Sequence, residues 1–149
     1  MNIWVDADAC PVVIREVLIK ASQRTLVPLI FVANQHISVP PNAHISSLQV
    51  SAGFDVADDE IVKRCAVNDL VITDDIPLAA EILAKDGLAV NFRGEAYDKA
   101  TIKATLTMRD FMDQIRASGE RTGGPKPFSA RDKMNFANQI DRMLASRKI

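Results

Sequence analysis

Only two cysteines, Cys10 and Cys65, occur among the 149 residues, too few for a disulfide framework and not needed in a domain of this length. Both are expected to be thiols. No apolar stretch reaches the length of a bilayer span, because Asp, Lys or Arg interrupts each one. Met1 to Asp6 also lacks the basic stretch and following apolar run of a signal peptide. A cytoplasmic protein with no membrane partner is therefore expected. Neither sign of charge dominates: 18 Lys and Arg stand against 19 Asp and Glu, a net charge of −1. The total thus lacks the basic excess of a general nucleic-acid binder. There is no internal repeat and no low-complexity tract.

What remains is an ordinary globular composition, 48% hydrophobic and 25% charged, and a length suited to one core. One domain is expected over residues 1–149, with a sheet unit at 1–97 and a helical part at 98–149. Charge is uneven along it. Aspartates crowd Asp55 to Asp75, whereas Arg93 to Lys148 is rich in Lys and Arg.

Ile3-Trp4-Val5 is a short apolar run ending in Asp6, and Pro11 opens a stretch with Val13, Ile14, Val17, Leu18 and Ala21 on one helical face. Leu26 to Ala33 reads as a strand buried on both faces, and Ile45 to Val50 as a third strand. Ala57 to Val67 has helical spacing, and Asp69 to Thr73 forms the next buried strand. Ile76 to Asp86 is a proline-started helix that Gly87 ends, and Leu88 to Phe92 is a fifth strand. Strands alternating with helices predict a doubly wound α/β fold: a mainly parallel five-stranded sheet with helices on both faces. From Lys99 onward only helices are expected. Thr107 with Asp110 reads as a capping box for one that Gly119 stops, and Ser129 with Asp132 caps the last. Phe136, Ile140, Met143 and Leu144 would pack that last helix back on the sheet.

Ligands of doubly wound sheets bind beyond the carboxyl ends of the strands, where the winding reverses. Two strands end there in paired acids, Asp6 with Asp8 and Asp74 with Asp75. Asp55 and Asp58 precede or open the helix between them. Such carboxylates repel one another unless a cation neutralises them, and oxygen ligands without His or Cys select Mg²⁺ or Mn²⁺. Asp6, Asp8, Asp55, Asp58, Asp74 and Asp75 are accordingly the candidate metal ligands, and Asp6, Asp8, Asp58 and Asp75 the candidate catalytic residues. Asp75 reads equally as a helix cap, and the two roles are compatible. Asp59 and Glu60 read as a solvated helix face, His36 and His44 as surface residues, and Cys65 as core. Cys10 and Arg15 stand one residue too close for the phosphate loop of cysteine phosphatases, so Cys10 reads as a buried thiol. In the loop from Arg121 to Phe128, Arg121, Gly124 and Lys126 are candidate phosphate-binding residues. A rigid turn that positions the last helix is an equal reading of that loop.

Four segments carry a resemblance that runs nearly end to end: Val5-Asp6-Ala7-Asp8-Ala9-Cys10-Pro11-Val12, Ala57-Asp58-Asp59-Glu60-Ile61-Val62, Val71-Ile72-Thr73-Asp74-Asp75-Ile76-Pro77-Leu78-Ala79, and the loop from Arg121 to Phe128. The chain resembles the uncharacterised bacterial YaiI/YqxD family, which is grouped by fold with PIN-like domains. PIN-like nucleases are similar in placing an Asp after the first strand, acids at a central helix, and an Asp in a Thr-x-Asp turn after the fourth strand. Asp6, Asp58 and Asp75 occupy the matching positions. Asp8 and Asp55 are local additions, and the usual intervening glutamate has no counterpart, since Leu26 to Leu48 holds no acid. The resemblance implies a Mg²⁺- or Mn²⁺-dependent phosphodiesterase acting on RNA or another nucleic acid. Two alternatives stand beside it: a phosphatase similar to the haloacid dehalogenase group with Asp6 as nucleophile, and a non-catalytic module that binds a metal or a phosphate-bearing ligand.

Overall fold

Side chains of successive strand residues point to opposite faces of a sheet, and this alternation sorts the apolar residues of the chain into two cores. A computed structural model describes residues 1–53, 55–117 and 127–146. Strands β1 (Ile3–Asp6), β2 (Leu29–Ala33), β3 (Ile45–Gln49), β4 (Leu70–Ile72) and β5 (Leu88–Val90) form one parallel sheet in the order β3-β2-β1-β4-β5. Ile3, Val5, Leu29, Phe31, Leu70, Ile72 and Val90 face one core. Trp4, Val32, Val71 and Ala89 face the other.

Helices α1 (Val12–Thr25) and α5 (Ala130–Ala145) cover the first face, supplying Ile14, Leu18, Phe136, Ile140 and Leu144. Helices α2 (Val56–Arg64), α3 (Ile76–Ala84) and α4 (Ile102–Ala117) lie on the second, through Ile61, Leu78, Ala79, Ile82 and Ile102. The doubly wound α/β arrangement expected from the alternation of elements is the one observed. Phe136, Ile140 and Leu144 are at most 1% exposed, so each stabilises the docking of α5 by roughly 1.5–3 kcal/mol. No helix of the described residues is long and apolar enough to cross a membrane.

α2 ends at Arg64 and β5 at Val90, a few residues short of expectation, and two starts differ for a physical reason. The apolar run from Leu26 does not begin β2. Leu26 adopts a left-handed conformation, φ 62°, donates its N–H to Ser22 O at 2.8 Å and closes α1, and the strand starts only after Pro28. Thr107 and Asp110 do not cap α4, which begins five residues earlier. Asp98 starts it, accepting Ala100 N–H at its carboxylate (2.8 Å) and the N–H groups of Thr101 and Ile102 at its carbonyl. Ile102 is thereby drawn into the second core. Thr107 lies inside the helix and bonds back to Lys103 O at 3.0 Å.

Ser129 and Asp132 do form a reciprocal capping box, and Asp132 also pairs with Arg93 at 2.7 Å. This ties the start of α5 to the turn after β5. Gly94 lies in that turn with φ 88°, and a Cβ there would stand 2.6 Å from backbone atoms of Asn135 and Phe136. Gly94→Ala is therefore expected to destabilise the fold by about 3 kcal/mol, read as a lower urea midpoint; an unchanged midpoint would show that α5 is not seated on this turn.

Candidate metal centre

Pairing of β1 with β4 sets Val5 beside Ile72, so the next residues, Asp6 and Thr73, emerge side by side at the carboxyl edge. Thr73 is fully buried. Its hydroxyl donates to Asp6 Oδ2 at 2.9 Å and accepts the N–H of Asp75 at 2.9 Å. One hydroxyl thus orients the tip of β1 and the turn that leads into α3. Asp75 caps that helix, its Oδ1 accepting Leu78 N–H at 3.0 Å.

The start of α2 comes to the same place. Asp55 precedes the helix in a left-handed conformation, φ 62°, and its carbonyl accepts the N–H of Asp59 at 2.9 Å. Asp58 follows in the first turn. Carboxylate oxygens of Asp55, Asp58 and Asp75 lie within 4.8 Å of one another. The Asp58 and Asp75 carboxyls are close enough to compete for one proton. Burial first, then the nearby Asp75 carboxyl and the charges of Asp6, Asp75 and Asp55, push the Asp58 carboxyl up to about 7. Burial likewise raises Asp6, against the lowering effect of its Thr73 bond, and the charges of Asp75, Asp8 and Asp74 add to the rise. Among the described residues no ion pair reaches Asp6, Asp55, Asp58 or Asp75. The three grouped carboxylates, without His or Cys and with Asp6 nearby, form an all-oxygen donor set, which fits a hard divalent cation.

The remaining predicted ligands are placed differently. Both oxygens of Asp8 accept Asn34 N–H, at 3.0 and 3.2 Å, fastening the loop after β1 to the end of β2. Asp74 Oδ1 accepts Phe92 N–H at 2.9 Å, fastening the loop after β4 to the end of β5. Both flank the cluster, and their charges reach Asp6. Arg121, Gly124 and Lys126 lie outside the described residues. Cys10 is buried, and burial pushes its thiol up to about 12 despite the nearby Arg15, so it is no thiolate nucleophile at neutral pH. Cys65 is buried in the second core, as expected. His36 is exposed and His44 half-buried.

Two further residues shape the site. The role of Thr73 was signalled only by its place between a buried strand and an acid pair. Tyr97 carried no signal, because its hydroxyl arrives from 24 residues downstream to donate to Thr73 O at 3.2 Å.

The chain has relatives of nearly equal length. It is 62% identical over 147 residues to a UPF0178 protein of Thioalkalivibrio sulfidiphilus, covering 99% of this chain and all of that one. It is 60% identical over 149 residues to one of Aliivibrio fischeri, with both chains covered in full. A third, from Colwellia psychrerythraea, is 58% identical over 148 residues, covering 99% of this chain and 98% of the other. No solved structure matches. The family model described as "Uncharacterized BCR, YaiI/YqxD family" matches residues 4–146, and the chain belongs to that family.

Proposed function

We propose that this protein is a Mg²⁺- or Mn²⁺-dependent phosphodiesterase of the PIN-like type, acting on single-stranded RNA or another nucleic acid. The observation that carries this reading is the meeting of Asp55, Asp58 and Asp75 within 4.8 Å, beside an Asp6 held by Thr73. Asp6, Asp55, Asp58 and Asp75 would hold the ion. A bound divalent cation supplies an activated water and neutralises charge on a phosphodiester. The chain's own share is orientation. Thr73 fixes Asp6 through its hydroxyl proton and Asp75 through its lone pair, and the α3 cap holds the Asp75 carboxylate in place. The phosphatase alternative is less well served, because both oxygens of Asp8, which would be its proton donor, face the backbone N–H of Asn34.

Asp58 also makes the site sensitive to pH. In the folded chain it keeps its proton to about pH 7, against an ordinary value of 3.8. Between those values the folded state binds more protons than the unfolded state, so stability falls as pH rises through that window. The same proton must leave before Asp58 can ligate, so metal affinity rises as pH passes about 7.

Three outcomes are expected. Single-stranded RNA is cleaved in the presence of Mn²⁺, and Asp6→Asn lowers the rate by about 100-fold or more while the circular dichroism spectrum is unchanged. Phosphate release from small monoesters with trapping by fluoroberyllate would instead make Asp6 a phosphoryl acceptor, and metal binding with neither activity would leave a binding module. In chelator at pH 8, Asp58→Asn raises Tm by about 2–4 °C, a solvent-screened gain of about 1 kcal/mol, and the gain vanishes near pH 4; equal Tm values at both pH values would remove the shared proton. Thr73→Val weakens metal binding by about 10- to 100-fold, whereas Thr73→Ser stays near the parent; calorimetric titration with Mn²⁺ separates the two.

A further inference from the structure

A cavity of about 350 Å³ lies beyond the tips of β4 and β5, next to the turn that carries Asp75. Both neighbours of Asp75, Asp74 and Ile76, line it, so whatever fills the cavity sits against the metal centre. Its size falls within the roughly 300–1,000 Å³ of small-ligand sites. Ile76, Ile102 and Tyr97 give it apolar walls.

Its polar chemistry is one-sided. The Tyr97 hydroxyl donates to Thr73 O, that of Thr101 to Asp98 O at 3.5 Å, and that of Thr105 to Thr101 O at 3.2 Å. Arg93, the one cation among the described residues of the lining, is paired with Asp132 and lies over the Phe128 ring. The hydroxyl donors are thus committed to backbone and the cation to a carboxylate. Acceptors remain. Asp74 and Asp98 each receive a backbone N–H on Oδ1, and Glu95 receives Asn91 Nδ2 on Oε1 at 3.4 Å. No hydrogen bond among the described residues reaches the second oxygen of any of the three. The carboxylate oxygens left over on the described lining favour a flat ligand that presents several N–H groups.

We infer that this cavity is a base-binding subsite for an unpaired guanine, holding the base while the adjoining phosphodiester faces the Asp75 cluster. Guanine is the one common base whose Watson–Crick edge sets a ring N–H beside an amino group. Adenine and cytosine place a ring acceptor beside the amino group, and uracil sets its N–H between two carbonyls. Each of those acceptors would face carboxylate oxygens without a proton between them. That edge is open only in single strands, where bases are read after unstacking. The inference rests on the phosphodiesterase reading for its biological setting, but the cavity is testable without it.

The test uses nucleosides, which carry no phosphate and do not need the metal centre. Titrated into the full-length, isotope-labelled protein, guanosine is expected to shift the amide resonances of residues 91–98 saturably and to bind at least about tenfold tighter than adenosine, cytidine or uridine. Glu95→Gln and Asp98→Asn are each expected to weaken guanosine by about tenfold while leaving Mn²⁺ binding unchanged. Equal affinity for the four nucleosides, absence of saturable shifts, or tighter binding of spermidine than of guanosine would overturn the inference. Guanosine selectivity without RNA cleavage would retain the subsite and discard the phosphodiesterase. Cleavage without preference for guanine beside the cut would do the reverse.

Discussion

The hydrogen bond from Thr73 to Asp6 joins two elements that lie 67 positions apart in sequence, and the site is assembled around it. It exists because β1 and β4 are neighbours in the sheet. That pair is also where the winding reverses: α1 leaves β1 toward one face, while α3 leaves β4 toward the other. The two helices diverge, and the strand tips between them stay open. Into this opening α2 brings Asp55 and Asp58. The strand order therefore determines both that a crevice forms and which acids line it.

The acids near this edge divide by what satisfies them. Asp8, Asp74 and Asp98 accept backbone N–H groups, as does Asp69 at the opposite edge of the sheet, where it binds Asn2 N, Ala66 N and the Trp4 indole. These carboxylates hold loops and strand ends in place. Asp75 likewise accepts the N–H of Leu78, but it also meets Asp55 and Asp58. Bringing like charges together opposes folding, and it raises the Asp58 carboxyl so that it holds its proton more readily. A proton is a weaker neutraliser than a divalent ion, and among the described residues no arginine or lysine pairs with these acids.

Much of this was readable along the chain. Val5-Asp6 and Thr73-Asp74-Asp75 announced buried strands ending in acids, and the apolar spacing placed α1, α3 and α5 close to where they lie. What stayed hidden was non-local. Asp6 and Asp8 look equivalent in sequence, as do Asp74 and Asp75. They part company because the tips of β2 and β5 offer the N–H groups of Asn34 and Phe92 to the outer member of each pair, and only the strand order says which tip is near. Leu26 was misplaced for a similar reason: an apolar residue in a left-handed cap, 60% exposed, has no local signature. The true start of α4 was hidden because Asp98 and Thr107 are both good starters, and burial of Ile102 chooses between them.

The turn Asp74-Asp75-Ile76 stands between the carboxylate cluster and the neighbouring cavity, and its two sides differ in kind. On one side, repelling carboxylates call for a cation and, through it, a phosphate. On the other, committed hydroxyls and half-occupied carboxylates favour N–H donors. The turn itself is held by the N–H of Asp75 on Thr73, the N–H of Leu78 on Asp75 and the N–H of Phe92 on Asp74, bonds that bind it to β4, α3 and the end of β5. With that partition rigid, a ligand anchored on one side has its neighbouring group presented to the other at a set separation. Such a juxtaposition suits a nucleotide better than a free anion or a lone base, because only a molecule that joins the two chemistries satisfies both sides of the turn together.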